Sequence, residues 1–214
     1  MTEELVTVFV VDDDESVCRA LKRLLGSHGF VVEVYHSAAA FLSRSFSDAP
    51  GCVILDLQLP ELSGIELQQK LAEAGLTLPI VFLSAFGDVP TTVRAMKQGA
   101  VDFLTKPVDE AVLVGAVRAA VAGQKQLYER QSAREQARGL AATLTPRELD
   151  VARGVIAGQR NKQIAADLGI AEKTVKIHRG HVMEKMGVKS VADLVRMCEL
   201  VGIRPETAAS GPVR

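Results

Sequence analysis

The sequence lacks the features that mark membrane and secreted proteins. None of its apolar runs approaches the roughly 18 consecutive residues of a membrane-spanning helix. Its start, MTEELV, has neither the basic segment nor the long apolar core of a secretory signal peptide. We therefore expect a cytoplasmic protein with no membrane partner.

Cysteine is scarce as well. The chain has three, Cys18, Cys52 and Cys198, which lie far apart and form no C-x-x-C pair. This spacing excludes a C-x-x-C redox motif and favours reduced, buried thiols.

Length and charge both favour two domains. The chain has 214 residues, which exceeds the usual size of one domain, and 48% of them are hydrophobic, enough for a core. Residues 1–122 carry 9 Lys and Arg against 16 Asp and Glu, a net charge of −7, whereas residues 123–214 carry 16 against 10, a net charge of +6. The split indicates an acidic domain joined to a basic one that could bind a polyanion.

The first half alternates short apolar runs with segments of helical periodicity. Continuous apolar strands separated by crossover helices are typical of a parallel sheet covered on both faces. Five such units within residues 1–122 predict a flavodoxin-like, doubly wound α/β domain. The predicted strands cover residues 6–11, 31–35, 52–57, 80–84 and 101–105. The predicted helices cover residues 16–27, 37–44, 64–74, 89–98 and a last segment from 109.

Polar side chains follow the strands around the predicted switch point of this sheet. The stretch VFVVDDDES runs from apolar residues straight into four carboxylates, beginning with Asp12 and Asp13. Asp56 follows the third strand, Ser84 ends the fourth and Lys106 follows the fifth. Taken singly, each is most often a turn, cap or loop residue. Because ligands bind doubly wound sheets at the carboxyl ends of strands beside the switch point, together they predict one site.

The residue types at this edge suit phosphoryl chemistry with a divalent cation. Asp12 and Asp13 beside Asp56 form a cluster of hard oxygen ligands, which suits Mg²⁺. With that cation present, one carboxylate can act as a nucleophile on phosphorus and form an aspartyl phosphate. Ser84 and Lys106 can then bind phosphoryl oxygens and stabilise their charge.

Residues 5–122 resemble the receiver domain of two-component response regulators, on the motifs VFVVDDDES, CVILDLQLPELSG, IVFLSAFGD and VDFLTKP. The stretch GDVPTTVRAMKQGAVDFLTKP resembles the FixJ subgroup in particular. The resemblance implies that Asp56 is the phosphoacceptor. It also implies that Asp13, Asp56 and the backbone carbonyl of Gln58 hold one Mg²⁺ ion.

The same resemblance implies roles for four further positions. Asp12 would act through water or hydrogen bonds, and Lys106, joined to Pro107 by a cis peptide bond, would be the lysine of the site. Ser84 and Phe103 match the hydroxyl and aromatic switch positions. Phosphorylation would draw the hydroxyl inward, let the ring follow and reshape the face of the fourth helix, fifth strand and fifth helix, on which the family commonly dimerises.

Two other functions share parts of this pattern. A Mg²⁺-dependent phosphohydrolase also forms an aspartyl phosphate, but such enzymes generally place an acid two residues after the nucleophile, where this sequence has Gln58. A flavin or nucleotide carrier shares the fold, but here the first strand leads into acids rather than a glycine-rich phosphate loop.

The basic half begins with a long polar segment. Residues 123–143 are rich in Gln, Ala and Arg and predict a solvent-exposed helix between the domains, with too few apolar positions for coiled-coil heptads. The second domain is predicted over residues 144–204, followed by a disordered tail over residues 205–214.

The second domain has the signals of a helix-turn-helix. In LTPRELDVA, Thr145, Pro146 and Glu148 predict a capping box with proline at the first helical position. The next helix, NKQIAADLG, is predicted to have Asn161 as its N-cap and Gly169 as its stop. Only Gly169, Ile170 and Ala171 separate this helix from EKTVKIHRGHVMEKMG. So tight a turn predicts a helix-turn-helix whose second helix enters the major groove of DNA.

Helical geometry, at about 100° per residue, separates two faces of that second helix. The stripe suited to the core carries Val175, His178, Val182 and Met186. The opposite side and its flank carry Lys173, Lys176, Ile177, Gly180 and Glu184. An outward Ile177 can contact a thymine methyl group, and Lys176 can reach guanine. Lys162, Thr174 and Arg179 are better suited to phosphate contacts, which position the domain without reading sequence.

Residues 144–200 resemble the LuxR-type (NarL/FixJ) DNA-binding domain, on the motifs LTPRE, NKQIAADLGI and KTVKIHRGHVMEKMGV. One position departs from the family, which usually caps the recognition helix with Ser or Thr where this chain has Ala171. The loss should cost roughly 1 kcal/mol of stability. His178 is then predicted to be a core histidine and His181 a surface residue.

The two halves together predict a phosphorylation-controlled transcription factor rather than an enzyme. Its α/β receiver would be followed by a helical linker and an all-α, four-helix DNA-binding domain. We expect a sensor histidine kinase to phosphorylate Asp56 and the product to form a homodimer. The dimer would bind double-stranded promoter DNA at half-sites about one helical turn apart. RNA polymerase is the further expected partner.

Overall fold

The computed structural model describes residues 6–45, 51–85 and 87–205. Their contacts divide the chain into two units, with the boundary between Leu127 and Tyr128, inside the predicted linker. Of the predicted tail, residues 206–214 lie outside the described residues.

The first unit is built on a parallel sheet of five strands. These are β1 (Thr7–Val11), β2 (Val31–Tyr35), β3 (Gly51–Leu55), β4 (Ile80–Ser84) and β5 (Asp102–Thr105). Their order across the sheet is β2-β1-β3-β4-β5, so the topological switch lies between β1 and β3, as predicted. β3 ends two residues earlier than predicted. Asp56 donates its N–H to the carbonyl of Val11 at 2.9 Å and belongs to the loop that follows β3.

Helices cover both faces of this sheet. They are α1 (Glu15–Ser27), α2 (Ala38–Leu42), α3 (Gly64–Glu73), α4 (Val89–Lys97) and the start of α5 (Glu110–Ala141). On one face Val10 and Ile54 pack with Leu25 of α1 and Val117 of α5. On the other face the alternate sheet residues pack with α2, α3 and α4, including Phe9, Phe41, Leu67, Phe82 and Ala95. α2 is shorter than predicted at both ends, because Ser37 is its N-cap and Ser43 its C-cap.

The predicted linker is part of one long helix. α5 contains 32 residues and includes residues 123–141. The expectation that this segment is exposed throughout is wrong near its end. Ala137 is fully buried, and Ala141 packs against the core of the second unit. The sequence did not reveal this because alanine fits an exposed helix and a close packing contact equally well.

The second unit contains the helices α6 (Pro146–Ile156), α7 (Asn161–Leu168), α8 (Glu172–Lys185) and α9 (Val191–Val201). Their apolar faces form one core, which includes Val151, Ile164, Val175, Val182, Met186 and Leu194. The predicted capping box of α6 is present, with Thr145 and Glu148 bonded to each other's N–H groups. Gly169 ends α7 in the left-handed conformation, at φ 64°.

The predicted cap of α7 is wrong by one residue. Asn161 is the first helical residue, and Arg160 is the N-cap. The Oε1 atom of Gln163 accepts a hydrogen bond from the Arg160 N–H at 2.8 Å. The side chain of Asn161 instead accepts one from Arg179 at 3.2 Å, a contact that joins α7 to α8.

The cysteines Cys18, Cys52 and Cys198 are free and buried, as predicted. Within the described ranges, none of the helices combines the length and the apolar character that a bilayer crossing requires.

Candidate functional site

Three carboxylates meet where β1 and β3 end. Asp12, Asp13 and Asp56 each offer one oxygen, and these atoms lie within 4.8 Å of one another. Asp12 and Asp56 are buried, at 2% and 8% exposure, whereas Asp13 is exposed. The site forms because β1 and β3 are hydrogen-bonded neighbours whose carboxyl ends lie at the same edge of the sheet.

The ammonium group of Lys106 lies between two of these carboxylates. Its Nζ atom is 2.5 Å from Oδ2 of Asp12 and 3.4 Å from Oδ2 of Asp56. The backbone holds this residue in place, because its N–H donates to the carbonyl of Ser84 at 2.8 Å. The peptide bond to Pro107 is cis, as expected. The lysine therefore partly offsets the negative charge of the cluster.

The pKa values of Lys106 and Asp56 report this arrangement. Burial disfavours the ammonium, but the hydrogen bond to Asp12 and the charges of Asp56 and Asp12 outweigh it and raise the pKa of Lys106. Burial raises the pKa of Asp56; Lys106 opposes that effect and the charge of Asp12 adds to it. The site thus combines Lys106, which stays protonated at neutral pH, with Asp56, a carboxylate whose negative charge is only partly compensated.

The residues fit a Mg²⁺ ion. The Oδ1 atom of Asp56 is buried and has no hydrogen-bond partner in the described part of the chain. A buried acceptor in this state is costly, and a cation would relieve it. Three carboxylate oxygens are the hard ligands that Mg²⁺ prefers. Gln58, the other predicted ligand position, lies two residues beyond Asp56 with its side chain exposed, so its backbone carbonyl is the group to consider.

The two predicted switch residues lie on neighbouring strands. Ser84 ends β4 at 1% exposure and pairs with Thr105 of β5. Phe103 of β5 is half-buried and stacks on Phe82 of β4, with ring centroids 5.8 Å apart. Gly87 packs against this ring, since a Cβ atom there would lie 2.7 Å from Phe103 Cε1.

Sequence reasoning did not identify Gly64 as a residue of the site. A Cβ atom at this position would clash with the carbonyl oxygen of Asp56 and lie 3.1 Å from the Cα of Leu57. Only glycine lets the start of α3 approach the loop after β3 so closely. The available signal was the capping box of Ser63 and Glu66, which fixes where α3 begins.

Asp12 is held by neighbours that were not predicted either. Its Oδ1 atom accepts the N–H of Asp14 at 3.0 Å, and its carbonyl accepts a contact from the thiol of Cys18 at 3.3 Å. Asp14 also caps α1, by accepting the N–H groups of Ser16 and Val17. Of the four consecutive acids, Asp12 and Asp13 thus belong to the site, Asp14 caps α1 and Glu15 is the first residue of that helix.

The recognition helix α8 has the two predicted faces. Val175, Val182 and Met186 are buried, and His178 is half-buried. The opposite face is exposed at Lys173, Lys176, Ile177, Gly180 and Glu184. Ile177 is 51% exposed, which is unusual for so large an apolar side chain.

The three predicted phosphate contacts differ in their surroundings. Lys162 of α7 is exposed, and Thr174 is half-buried at the start of α8. Arg179 is half-buried and bonded to Asn161, so part of its donor capacity positions α7. Ala171 is the N-cap of α8 and its side chain makes no capping bond, as the sequence indicated.

Two protein families match the chain. Residues 8–118 match the response regulator receiver domain. Residues 142–198 match the bacterial regulatory proteins of the luxR family.

The chain is also similar to whole proteins of this kind. Nodulation protein W of Bradyrhizobium diazoefficiens is 47% identical over 196 residues, which cover 92% of this chain and 86% of that protein. The transcriptional regulatory protein FixJ of Azorhizobium caulinodans is 40% identical, with 97% and 98% covered. The solved structure of the response regulator StyR has a TM-score of 0.80 at 45% identity, with 91% and 98% covered. This chain therefore belongs to the response regulators that join a receiver domain to a LuxR-type DNA-binding domain, and it is a transcription factor activated by phosphorylation.

Proposed function

We propose that Asp56 is the phosphoacceptor and that a sensor histidine kinase supplies its phosphoryl group. The position of Lys106 carries this proposal, since its ammonium contacts Asp12 at 2.5 Å and Asp56 at 3.4 Å. A cation beside a carboxylate is suited to bind the anion that arrives there. The Oδ1 atom of Asp56 has no hydrogen-bond partner among the described residues and can bind Mg²⁺, while Oδ2 lies beside Lys106, where the phosphoryl group would arrive.

The transfer forms one bond and breaks one. An oxygen of Asp56 bonds to phosphorus while the bond from phosphorus to the kinase histidine breaks, and the imidazole leaves with the electron pair. Lys106 and the Ser84 hydroxyl each bind a phosphoryl oxygen and stabilise its charge. Asp13, Asp56 and the carbonyl of Gln58 would hold Mg²⁺, which supplies further positive charge beside these oxygens.

The switch uses the contacts around Ser84 and Phe103. A phosphoryl group on Asp56 gives the Ser84 hydroxyl an anionic partner, and the ring of Phe103 moves into the space that the hydroxyl leaves. The face made by α4, β5 and α5 then changes shape, and two chains form a homodimer through it. Exposed apolar residues on α4 and in the turn before β5 support this choice of face: Val89, Val93, Met96 and Val101.

The second unit binds double-stranded promoter DNA through α8. Lys173, Lys176 and Ile177 are exposed together on the face away from the core, while Lys162, Thr174 and Arg179 bind phosphates. In the homodimer, two copies of α8 bind half-sites about one helical turn apart. The protein acts in the cytoplasm, and RNA polymerase is its partner at the promoter.

Phosphorylation of purified protein tests the central step. A small phosphodonor with Mg²⁺ should add one phosphoryl group to wild type and convert monomer to dimer, as measured by mass spectrometry and light scattering. Asp56→Asn should do neither, whereas Glu73→Gln, at an exposed carboxylate of α3 outside the site, should match wild type. An adduct on Asp56→Asn would refute the assignment.

The reaction at Asp56 serves regulation rather than turnover. A phosphohydrolase of this chemistry needs an acid to protonate its leaving group, and Gln58 at the relevant position cannot provide one. We therefore expect no sustained release of phosphate from organic phosphate esters, and steady multiple turnover would contradict this.

A further inference from the structure

A second cluster of potential metal ligands lies in the DNA-binding unit, between α6 and α8. Glu148, His178 and His181 each offer one ligand atom, and these atoms lie within 4.8 Å of one another. His178 and His181 are one turn apart on α8, and Glu148 lies in the first turn of α6. None of the three takes part in the proposed phosphoryl transfer or DNA contacts.

Glu148 is a buried carboxylate with one oxygen already paired. It is 4% exposed, and its Oε2 atom accepts hydrogen bonds from Lys185 at 2.6 Å and from the Thr145 N–H at 2.8 Å. The bonds from Lys185 and Thr145 lower the pKa of Glu148 to about 2, so the group is ionised at neutral pH. Its Oε1 atom faces Nδ1 of His181 at 3.5 Å.

The Nδ1 atom of each histidine lacks a good hydrogen bond within the described ranges. Nδ1 of His178 is buried and has no hydrogen-bond partner within the described ranges, which is a costly state. The 3.5 Å contact of His181 with Glu148 is longer than a good hydrogen bond. It is close to the roughly 3.3 Å that separates neighbouring ligand atoms around a tetrahedral metal with bonds of about 2.0 Å.

We propose that Glu148, His178 and His181 form a Zn²⁺ site that joins α6 to the recognition helix α8. Two imidazole nitrogens and one carboxylate oxygen are ligands that Zn²⁺ accepts, with water as the fourth, whereas Mg²⁺ prefers oxygen ligands alone. Because the ligands come from two helices, the ion binds only the folded unit and stabilises it. The Lys185 ammonium repels the ion, so the affinity is moderate rather than that of a permanent structural zinc.

Calorimetric titration of the full chain with ZnCl₂ tests the site. The chain is first treated with a chelator and carries Asp13→Asn and Asp56→Asn, which removes the competing carboxylate site. We expect one Zn²⁺ per chain and a rise in the melting temperature of the DNA-binding unit of about 4 °C or more at saturation. His181→Gln should bind Zn²⁺ about tenfold more weakly or not at all. His36→Gln, at an exposed histidine of the receiver, should match its parent.

Co²⁺ provides a second measurement, because its visible absorption depends on the geometry of its ligands. Visible absorption of the Co²⁺-loaded chain should show tetrahedral ligation, and His181→Gln should lose it. Circular dichroism checks the fold of this variant, which should be intact because the replaced side chain is exposed. Equal Zn²⁺ affinity with and without His181, or no binding by the parent chain, would overturn the proposal. The phosphoacceptor assignment is unaffected by either result, because Asp56 is absent from the tested chain.

Discussion

The Nζ atom of Lys106 lies 2.5 Å from Oδ2 of Asp12, a residue whose side chain is 3% exposed. Removing the lysine leaves a buried carboxylate without its cation, so Lys106→Met should destabilise the receiver unit by about 3 kcal/mol at pH 7 without Mg²⁺. Urea unfolding followed by circular dichroism measures this. The folded-state pKa of Lys106 is raised above 10.5, so its contribution is fully present at pH 7 and is lost only as the pH rises through that raised value.

Lys97→Met is the matched control for this variant. Lys97 is an exposed lysine of α4, and its loss should change the stability by no more than about 0.5 kcal/mol. Mg²⁺ should restore part of the stability that Lys106→Met loses, because the cation compensates the same carboxylates. Equal stability of the two variants would show that the contact of Lys106 with Asp12 contributes nothing.

The raised pKa of Asp56 predicts that its charge destabilises the receiver when no Mg²⁺ is present. The folded state then holds the proton more tightly than the unfolded state does. The penalty is absent below the usual pKa of 3.8 and grows as the pH rises through the raised value. Asp56→Asn should therefore stabilise the chelator-treated protein by about 1 kcal/mol at pH 7, and the gain should shrink toward pH 4.

Melting curves at both pH values, with and without Mg²⁺, measure this effect. Mg²⁺ should stabilise wild type more than Asp56→Asn, since the carboxylate is a ligand and the amide is a poor one. A destabilising Asp56→Asn at pH 7 in chelator would contradict the assignment of its raised pKa to an uncompensated buried charge.

The sequence was sufficient to predict that the carboxylates of the receiver site meet, because their positions follow from the order of the strands. β2 and β4 have the predicted ends, since their apolar runs are bounded by polar or turn residues. Once β1 and β3 are neighbours, Asp12 and Asp56 must meet, however far apart they lie in the chain. The cluster of carboxylates could therefore be predicted before any distance was known, and the roles assigned to its residues stay predictions.

Other features depend on packing that no local pattern contains. Gly64 is required only because the carbonyl of Asp56 lies where its Cβ atom would be. Asn161 has the residue type of a helix N-cap, but its side chain accepts a hydrogen bond from Arg179 of another helix. The side chain of Gln163 accepts a hydrogen bond from the N–H of Arg160, which is the N-cap. At such positions, tertiary contacts compete with the local structural preference of the residue.

The close packing of Gly64 against Asp56 makes a specific prediction. Gly64→Ala must displace the loop that carries Asp56, so it should destabilise the receiver by about 1–3 kcal/mol and slow phosphorylation. Gly123→Ala is the control, because open space surrounds this glycine in α5 and alanine should stabilise the helix by up to about 1 kcal/mol. Thermal unfolding should show opposite changes in stability for the two variants, whereas the rate of phosphoryl incorporation should fall for Gly64→Ala and stay at the wild-type value for Gly123→Ala. Unchanged phosphorylation by Gly64→Ala would show that the contact does not position Asp56.

The uncapped start of α8 offers a stabilising substitution. Ala171 has the extended backbone of an N-cap but no side-chain acceptor, so Ala171→Ser should stabilise the DNA-binding unit by about 1 kcal/mol. Ser190→Ala provides the reverse comparison, since Oγ of Ser190 accepts the N–H of Asp193 at 3.1 Å at the start of α9. It should cost a similar amount. If Ala171→Ser leaves the melting temperature unchanged, the start of α8 is satisfied by other means.

Phosphate contacts and base contacts should separate affinity from specificity. Lys162→Ala, at an exposed lysine of α7, should weaken binding to every duplex alike and reduce the slope of log affinity against log salt by about 1, because one phosphate contact is lost. Ile177→Ala should leave the salt slope unchanged and relax the preference for thymine among selected sites, because only a methyl contact is removed. Lys22→Ala makes the same charge change at an exposed site in the receiver and should alter neither quantity. Fluorescence anisotropy with a mixed-sequence duplex gives the slope, and selection from a random library gives the preference. A salt slope that changes equally for Lys162→Ala and Lys22→Ala would reflect net charge rather than a phosphate contact.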